Sequence, residues 1–396
     1  MLYSNVLGDR LSLLGFGAMR LPTLPDGTID AVTTKQMVDA AVASGINYFD
    51  TAYPYHGGHS ETVLCDCLRA YPRESYYLAD KYPGHQLADS YDPAEVFEDQ
   101  LKKCGVDYFD YYLLHNVYEK SVEVYTDPQW GIIEYFKEQK RLGRIRHLGF
   151  SSHASVECLE EFLNAHGEDM EFCQIQLNYL DWTLENAAAK YALLTERKIP
   201  VWVMEPLRGG KLATLSPEDT AGLRALRPDE STAAWAFRFL QSLPNVAVVL
   251  SGMSAPTQLA DNVKTFEECK PLADGEAALL LDIAETLKNA IPCTACRYCC
   301  DGCPVGLDIP KLLAVYNNIR YAPTTNTAMT IEALPAEKQP AACIGCGACS
   351  AVCPQKIDIP MHLQAFAETL KTIPSWAEIS RQRAEAAKKL RESAQR

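Results

Sequence analysis

Two runs of cysteines near the C-terminus have the residue type and the spacing needed to hold metal. The first run contains Cys293, Cys296, Cys299 and Cys303, and the second contains Cys343, Cys346, Cys349 and Cys353. A proline follows each run (Pro304 and Pro354), so both read C-x-x-C-x-x-C-x-x-x-C-P. This spacing is typical of thiolates that bind a four-iron cluster. The cysteines therefore predict two 4Fe-4S clusters.

The similarity of the two runs extends beyond the cysteines. Asp308, Ile309 and Pro310 return as Asp358, Ile359 and Pro360, at the same offset as the cysteines. A structural zinc site is the alternative, because one C-x-x-C pair facing another could supply four thiolates. Zinc leaves the third cysteine and the Cys-Pro pair of each run without a role.

The fourth cysteine of each run ligates the other cluster in two-cluster domains of this kind. One cluster would therefore use the first three cysteines of the first run with Cys353. The other would use Cys343, Cys346, Cys349 and Cys303. We expect the two halves to form one folding unit, which needs its clusters in order to fold.

Four polar residues upstream of the cysteines form a possible acid–base set. Asp50 lies at the end of one predicted strand and Tyr55 follows it, and Lys81 and His115 end the next two. A free tyrosine has a pKa of about 10 and is a poor acid at neutral pH. A nearby lysine ammonium would lower that pKa, an aspartate would hold the lysine charged, and a histidine could orient a substrate oxygen. Taken singly, each residue also has an ordinary structural explanation.

The elements that must position these residues alternate between short apolar strands and helical stretches. Eight predicted strands in about 250 residues match the size of a (β/α)8 barrel. Their predicted ranges are Leu13–Ala18, Ile46–Thr51, Tyr76–Lys81, Tyr111–His115, Ile145–Ser151, Phe172–Asn178, Val201–Glu205 and Val246–Ser251. A doubly wound open sheet is the alternative, but no G-x-G-x-x-G follows the first strand.

The composition allows a large domain followed by a small one. The chain has 396 residues, of which 47% are hydrophobic. We expect a barrel over residues 1–290, a mainly helical cluster domain over 291–373 that includes a helix at Lys311–Arg320, and a charged C-terminal helix over 374–396. A net charge of −14 argues against nucleic-acid binding, and no apolar run is long enough to span a membrane. Fifteen cysteines, eight of them in the two runs, favour a reducing, cytoplasmic location.

Several segments resemble the aldo/keto reductase family in sequence and in order. The segment from Asp50 to Tyr55 is similar to the family's D-T-A-x-x-Y signature, and Leu14–Pro22 is similar to its opening hairpin and first strand. Leu113–His115, Gly149–Ser152 and Glu205–Leu207 also fall in family order. With its cysteine-rich tail, the chain resembles a subgroup, mostly of anaerobic bacteria and archaea, in which the barrel is fused to a ferredoxin-type domain.

The resemblance implies hydride transfer between a nicotinamide cofactor and a carbonyl or alcohol substrate. Tyr55 would act as general acid, Lys81 and Asp50 would lower its pKa, and His115 would position the carbonyl oxygen. The residues implied to contact the cofactor are Gly17, Met19, Ser151, Ser152, Gln176, Met204, Leu207, Gly209, Gly210, Gly252, Gln258 and Asn262. Of these, Ser151, Ser152 and Gln176 would hold the carboxamide, and Leu207, Gly209 and Gly210 would line the pyrophosphate with Arg208 or Lys211 nearby.

The chain departs from the family pattern at the cofactor site. Met204 stands where an aromatic ring often stacks on the nicotinamide. Gly252 and Gln258 stand where NADP-preferring members place a lysine and an arginine, so the extra phosphate would lack charged partners. NAD, NADP and a bound flavin therefore all remain possible.

The sequence thus predicts an oxidoreductase whose clusters carry electrons to a ferredoxin-like or flavoprotein partner. Clusters accept one electron each, whereas hydride transfer moves two, and no flavin motif is apparent. A reductase with purely structural clusters and a non-catalytic electron-transfer subunit are the two alternatives.

Overall fold

A computed structural model describes residues 1–86, 88–215, 217–288, 291, 293, 297–321, 323–353 and 356–394. Pro292, Cys296 and Pro354 lie outside these residues, as do positions 289–290 and 395–396. The described chain divides into two compact units. The first comprises Met1–Leu280 with Ala386–Arg396, and the second comprises Leu281–Glu385.

The first unit contains a closed barrel of eight parallel strands, β3 to β10, in sequential order around the ring. An antiparallel hairpin, β1 and β2, precedes it. The strands are β1 Tyr3–Val6, β2 Asp9–Ser12, β3 Leu14–Gly17, β4 Tyr48–Asp50, β5 Tyr77–Tyr82, β6 Phe109–Val117, β7 Ile145–Ser152, β8 Cys173–Gln176, β9 Val201–Met204 and β10 Val246–Gly252. The predicted (β/α)8 barrel is confirmed.

Helices alternate with the strands, and the last of them continues past Leu280 into the second unit. They are α1 Ala31–Ala43, α2 Ser60–Leu68, α3 Pro93–Cys104, α4 Val122–Thr126, α5 Ile132–Arg141, α6 Val156–His166, α7 Asp181–Leu184, α8 Ala187–Glu196, α9 Pro217–Leu226, α10 Thr232–Gln241, α11 Pro256–Thr265 and α12 Asp274–Lys288. Helix α3 shows how local sequence sets these bounds. Asp92 caps its N-terminus by accepting from the Ala94 and Glu95 N–H groups, Pro93 opens it, and Gly105 ends it with a φ of 64°.

Alternation along the strands fills the barrel with large side chains. Tyr48, Tyr111 and Trp202 point inward and form a fully buried cluster with Leu11 of β2. The hairpin therefore closes the N-terminal end of the barrel. The family resemblance placed the opening hairpin within Leu14–Pro22, which was wrong, since the hairpin spans Tyr3–Ser12 and Leu14–Gly17 is already the first barrel strand.

The second unit is helical, and its repeat is visible in the fold. Its helices are α13 Tyr298–Asp301, α14 Ile309–Tyr321, α15 Thr325–Glu332, α16 Ala348–Ala351 and α17 Ile359–Lys371, and α18 Trp376–Ala394 closes the chain. The first residues of α13 and α16 are separated by the same number of positions as the two cysteine runs, and so are the first residues of α14 and α17. Tyr316 of α14 stacks on Phe366 of α17 with the ring centroids 4.9 Å apart. The predicted helix at Lys311–Arg320 lies within α14.

In the described residues, no helix is both long and apolar enough to cross a membrane.

Candidate active site and cluster site

The four candidate acid–base residues come from three adjacent strands at the carboxyl end of the barrel. Asp50 is the last residue of β4, Lys81 lies near the end of β5, and Tyr55 begins a short 3-10 turn after β4. His115 lies inside β6 rather than at its end, because the strand continues to Val117 through an irregular step at Asn116, where φ is 59°. The predicted end of that strand was therefore too early.

Lys81 is the centre of this group. Its side chain is fully buried, and Nζ donates to Asp50 Oδ1 at 2.5 Å and to the Thr51 carbonyl oxygen at 2.6 Å. The same Nζ lies 4.9 Å from the centroid of the Tyr55 ring. The structure therefore brings the ammonium group, the carboxylate and the phenol together.

Two histidines extend the group. The His115 ring meets the Tyr55 ring edge to face, with centroids 5.8 Å apart. The centroid of the His85 ring lies 4.3 Å from that of the His115 ring, and His85 is almost fully buried. Sequence reasoning missed His85. It lies in the loop after β5, outside every motif, and only the fold places it against β6.

Electrostatics keep the phenol protonated. Burial raises the pKa of Tyr55 above its ordinary value, and the Lys81 charge opposes this rise without reversing it. Burial also raises the pKa of Asp50, against the influence of Lys81. Burial alone would lower the pKa of Lys81, but the charge of Asp50 outweighs it, and the pKa lies above its ordinary value. The sequence predicted the direction of the lysine effect on Tyr55 but not the larger effect of burial. A neutral phenol beside a cation can donate a proton to a developing alkoxide.

The residues implied to contact a nicotinamide cofactor surround the same end of the barrel. Gly17, Ser152, Gln176, Met204 and Gly252 are the last residues of β3, β7, β8, β9 and β10, and Ser151 lies one position earlier in β7. Gly17 pairs in register with both Asp50 and Gly252. Met19, just beyond β3, leaves half of its surface exposed although it is a large apolar side chain. An apolar ring could cover that surface.

The turn after β9 is tight and leaves open space beside one of its glycines. Glu205, Arg208, Gly209 and Gly210 all have positive φ, and nothing lies within 4 Å of a Cβ built on Gly210. The N–H groups of Arg208 and Gly210 donate to the carbonyl oxygens of Glu205 and Leu207 within the turn, each at 3.0 Å. The contribution of this turn to the implied pyrophosphate position is therefore the open space at Gly210.

Arg208 is bound elsewhere. Its side chain is buried and ion-paired with Asp181, and Glu185 lies 3.8 Å away. The family resemblance placed Arg208 or Lys211 near the pyrophosphate. The guanidinium of Arg208 is instead bound to Asp181, and this ion pair holds the turn in place. Burial lowers the pKa of Lys211, and the Arg208 charge adds to this effect.

The polar residues implied to hold the carboxamide already have protein contacts. Ser151 Oγ accepts from the Asn116 N–H at 2.8 Å, and Ser152 Oγ donates to the Val117 carbonyl at 2.8 Å. Gln176 Nε2 donates to Asp181 Oδ2 at 2.8 Å. The side-chain oxygen of Gln176 can then accept a hydrogen bond from the carboxamide.

The residues implied to lie at the adenosine end are on or near α11. Asn262 donates to Ser251 Oγ at 3.0 Å and is buried. The side-chain oxygen of Gln258 accepts from the Ser254 N–H at 2.8 Å. The stem of Arg20 lies against Gly252, within 3.2–3.4 Å of a Cβ built there. Gly252 and Gln258 themselves carry no cationic group, and the guanidinium of Arg20 pairs with Glu205 at 3.4 Å.

A cavity in the second unit brings together cysteines from both runs. The space between protein atoms here is about 320 Å³, part of which is open solvent. Its lining includes Cys343, Cys346 and Cys349 of the second run and Cys303 of the first. Apolar side chains such as Leu307, Ile309 and Leu363 form the rest of the wall. Four thiols around one apolar cavity fit a four-iron cluster.

The arrangement differs from a site for a single ion. Within the described parts of the chain, no three His, Cys, Asp or Glu side chains are grouped to hold one metal ion. A four-iron cluster does not require such a group, because each thiolate binds a different iron. In the first run, Cys293 and Cys299 pack against the same helical core, and Cys296 lies outside the described residues.

Comparison with known families accounts for most of the chain. The aldo/keto reductase family matches residues 13–285, and the 4Fe-4S dicluster domain matches residues 292–357. An NADH-specific methylglyoxal reductase of Escherichia coli (strain K12) is 26% identical over 324 residues, which cover 70% of this chain and 96% of that protein. An uncharacterized oxidoreductase of Bacillus subtilis (strain 168) is 27% identical over 295 residues, covering 66% of this chain and 92% of that protein.

Solved structures agree with this match. The holo form of an aldo-keto reductase from Bacillus halodurans aligns with a TM-score of 0.57 and 27% identity, covering 70% of this chain and 93% of that one. An aldo-keto reductase from Klebsiella pneumoniae in complex with NADPH aligns with a TM-score of 0.57, covering 72% of this chain and 96% of that one. At 19% identity, the second similarity concerns the fold alone.

Proposed function

The chain belongs to the aldo/keto reductase family, and we propose that its barrel transfers hydride between a nicotinamide cofactor and a small carbonyl or alcohol substrate. The observation that carries this proposal is the buried ammonium of Lys81. It is held by Asp50 at 2.5 Å and lies 4.9 Å from the centre of the Tyr55 ring. A buried charge of this kind is costly unless it is paired, and it serves best where a second charge develops during a reaction.

Each residue of the group has a distinct role in the proposed reaction. Tyr55 donates its proton to the carbonyl oxygen, and Lys81 stabilises the resulting tyrosinate. Asp50 holds Lys81 charged and in place. His115, whose ring meets that of Tyr55 edge to face, orients the substrate oxygen by hydrogen bonding.

The residues at the carboxyl end of the barrel support the proposal of a nicotinamide cofactor, which would supply the hydride when bound. Ser151, Ser152 and Gln176 would hold its carboxamide, with Met204 and Met19 against the ring. The turn at Leu207–Gly210 would take the pyrophosphate. Gly17, Gly252, Gln258 and Asn262 would complete the site toward the adenosine end.

We further propose that the cofactor is NADH rather than NADPH. Neither Gly252 nor Gln258 carries a charge, and the extra phosphate of NADPH would want charge-assisted partners. The Escherichia coli relative is named as NADH-specific, which agrees with this choice. The ratio of kcat/KM for NADH to that for NADPH tests it, and a ratio above 1 is expected.

In the second unit, Cys303, Cys343, Cys346 and Cys349 would hold one 4Fe-4S cluster, and Cys293, Cys296, Cys299 and Cys353 the other. The clusters would supply one-electron carriers that connect the barrel to a ferredoxin-like or flavoprotein partner. Because hydride transfer moves two electrons together, this connection requires a group such as a flavin that accepts two electrons and releases them singly.

Tyr55→Phe tests the barrel chemistry. The change removes the proposed acid but keeps the ring, so kcat for every accepted carbonyl should fall by roughly 10²- to 10⁴-fold. The dissociation constant for NADH should change little. Tyr53→Phe is the matched control, since the Tyr53 ring lies under Lys103, outside the proposed acid–base group. Unchanged turnover in Tyr55→Phe would refute the assignment.

A second candidate is a reductase whose clusters serve only to build the domain. Cys299 and Cys349 belong to the buried core of the second unit, and the other described cluster cysteines except Cys346 pack against it. Anaerobic titration with NADH distinguishes the two roles. Loss of the visible cluster absorption would show that nicotinamide electrons reach the clusters, whereas an unchanged band under bound NADH would favour the structural role.

A further inference from the structure

Two carboxyl side chains that the proposed reaction does not use lie together behind Lys81. Asp80 precedes Lys81 in β5 and therefore points away from the barrel interior, toward the surrounding helices. Glu61 reaches the same place from α2. Both residues have no exposed surface. Buried carboxyl groups are rare unless they are paired or neutral.

The side chains around Asp80 hold the backbone of Lys81 on both sides. Asp80 Oδ1 accepts from the Lys81 N–H at 2.8 Å, and Gln100 Nε2 of α3 donates to the Lys81 carbonyl oxygen at 3.1 Å. Tyr112 in turn donates to the Gln100 amide oxygen. The position of the lysine in the barrel is therefore tied to the helix layer behind it.

The charges in this layer do not balance if both carboxyl groups are ionised. Lys103 of α3 pairs with Glu61 Oε2 at 3.0 Å, and it also pairs with Asp99 at 3.0 Å. The second oxygen of Glu61, Oε1, is buried and receives no hydrogen bond within the described chain. Asp80 Oδ2 lies 3.9 Å from Cys104 Sγ, and the Asp80 carboxyl group is within hydrogen-bonding reach of the Glu61 carboxyl group. Two neighbouring carboxylate oxygens cannot bond to each other unless one of them carries a proton.

We propose that Asp80 is a neutral carboxylic acid in the resting protein, that it donates its proton to Glu61 Oε1, and that this hydrogen-bonded pair positions Lys81. The catalytic consequence rests on the function proposed above, but the location of the proton does not. One proton satisfies the orphaned oxygen of Glu61 and leaves a single negative charge facing Lys103.

Electrostatics support this arrangement. Burial raises the pKa of Asp80 well above its usual range, and the adjacent Glu61 carboxyl adds to the effect. Burial raises the pKa of Glu61 as well, while the charge of Lys103 opposes it. The groups that face Asp80 are thus Glu61 from α2, Cys104 from α3 and Lys81 from its own strand. Hydrogen bonding with Cys65 and burial raise the pKa of Cys104 well above its usual range, so it remains a thiol.

A neutral Asp80 also matters for Tyr55. A negative charge at Asp80 raises the pKa of the phenol and makes it a weaker acid. Protonation of Asp80 removes that charge while keeping the acceptor that holds the Lys81 N–H. The pair is therefore a positioning device, since neither carboxyl group contacts the reacting atoms.

Infrared difference spectroscopy on the full-length, anaerobically purified protein tests the proton directly. At about pH 8.5, exposed carboxyl groups are ionised, and so is Glu185, whose pKa burial raises to about 7. A carboxylic-acid C=O band at this pH therefore reports only buried groups whose pKa is higher still. We expect such a band in the wild type and its loss in Asp80→Asn. The matched control is Asp110→Asn, because Asp110 is equally buried but pairs with Arg73 at 2.6 Å and Arg146 at 3.0 Å. The band should persist in that control.

Kinetics test the positioning role. Asp80→Asn keeps a neutral acceptor for the Lys81 N–H and a donor for Glu61, and should retain kcat within about threefold of the wild type. Asp80→Leu loses both contacts and should lower kcat by roughly 10- to 100-fold with KM little changed, because the lysine is displaced.

Either of two results overturns the proposal: a spectrum in which Asp80→Asn removes no acid band, or full kcat in Asp80→Leu. Failure of the hydride-transfer proposal would give a different result: Lys81→Met would leave turnover intact, while the carboxylic-acid band of Asp80 remained.

Discussion

At the scale of single residues, Lys81 shows how a barrel interior can keep a charge. Burial alone would lower the pKa of this lysine and favour the neutral amine. The carboxylate of Asp50 reverses that effect at a distance of 2.5 Å, and the Thr51 carbonyl accepts a second hydrogen bond. The cation therefore depends on partners that are as buried as the lysine itself.

Lys81→Met should impair both stability and turnover. The change leaves Asp50 buried without a cation, and removal of one partner of a buried pair typically costs about 3–5 kcal/mol. We expect the free energy of unfolding to fall by this order and kcat to fall by roughly 10²- to 10⁴-fold, since the tyrosinate loses its counter-charge. Urea unfolding and steady-state kinetics measure the two effects.

Lys35→Met is the control for the loss of a lysine charge. Lys35 pairs with Asp39 on the outer face of α1, and its side chain is 40% exposed. An exposed pair of this kind contributes at most about 1 kcal/mol, and turnover should not change. Equal behaviour of the two variants would contradict the role given to Lys81.

The catalytic residues could be predicted from the sequence because they lie in short motifs, as Asp50 and Tyr55 do. Burial and contacts that require several strands to come together could not be predicted. Burial of the Tyr55 ring and the position of His85 against His115 arise only when strands from distant parts of the sequence become neighbours. The anchoring of Arg208 by Asp181 has the same origin.

At the scale of elements, Glu171 joins three parts of the barrel. It precedes β8, accepts from the Leu148 N–H of β7 at 3.0 Å, and pairs with Lys140 of α5 at 2.6 Å. His147 lies 3.1 Å away. Burial alone would raise the pKa of Glu171, but the hydrogen bonds from His147, Lys140 and Leu148 outweigh it and lower the pKa to about 2.

Glu171→Gln should therefore destabilise the barrel in a pH-dependent manner. A carboxyl group with a lowered pKa stabilises the folded state above its unfolded pKa of about 4.5, and this contribution is lost as the pH falls toward 2. Because Glu171 is partly exposed, solvent screens part of its interaction energy. We therefore expect the free energy of unfolding to fall by roughly 1–3 kcal/mol at neutral pH. The difference from the wild type should shrink below about pH 4.5.

Unfolding followed by tryptophan fluorescence at several pH values measures this difference. Glu138→Gln is the control, because Glu138 pairs with Arg141 on the exposed face of α5 and should contribute little. A Glu171→Gln deficit that stays constant down to acidic pH would contradict the assigned linkage.

The strands could be predicted from their apolar runs, and all eight predicted strands exist. Their ends could not be predicted as well. Strand β6 continues past His115 because a left-handed residue, Asn116, lets the chain re-enter the sheet. The hairpin β1–β2 was misplaced because its strands are only four residues long and carry a weak apolar pattern.

At the scale of the whole molecule, the chain joins an aldo/keto reductase domain to a 4Fe-4S dicluster domain. The repeat could be predicted because the same spacing, prolines and Asp-Ile-Pro motif occur twice. The mixed origin of the cysteines around the described cavity, three from one run and Cys303 from the other, agrees with the crossed ligation that the sequence predicts.

Paired substitutions test crossed ligation. Cys303→Ser combined with Cys346→Ser should remove one cluster and about half of the iron, because both cysteines would belong to the same cluster. Cys303→Ser combined with Cys293→Ser should remove both clusters. Iron analysis and electron paramagnetic resonance of the reduced protein measure the outcome.

The two pairs exchange their results if each run holds its own cluster, so the reverse pattern would contradict crossed ligation. Cys300→Ser is the control, since Cys300 neither lines the cavity nor belongs to either proposed ligand set. Its iron content should equal that of the wild type.

Isotope transfer from the cofactor to the product tests the proposed hydride transfer in the barrel. The protein would be supplied, without oxygen, with NADH deuterated at the transferable position and an accepted carbonyl substrate. Direct transfer predicts deuterium on the carbinol carbon of the alcohol formed, and a rate reduced at least 100-fold in Tyr55→Phe. Alcohol that carries solvent hydrogen at that carbon would contradict direct transfer, because the electrons would then have passed through an exchanging carrier before reaching the substrate.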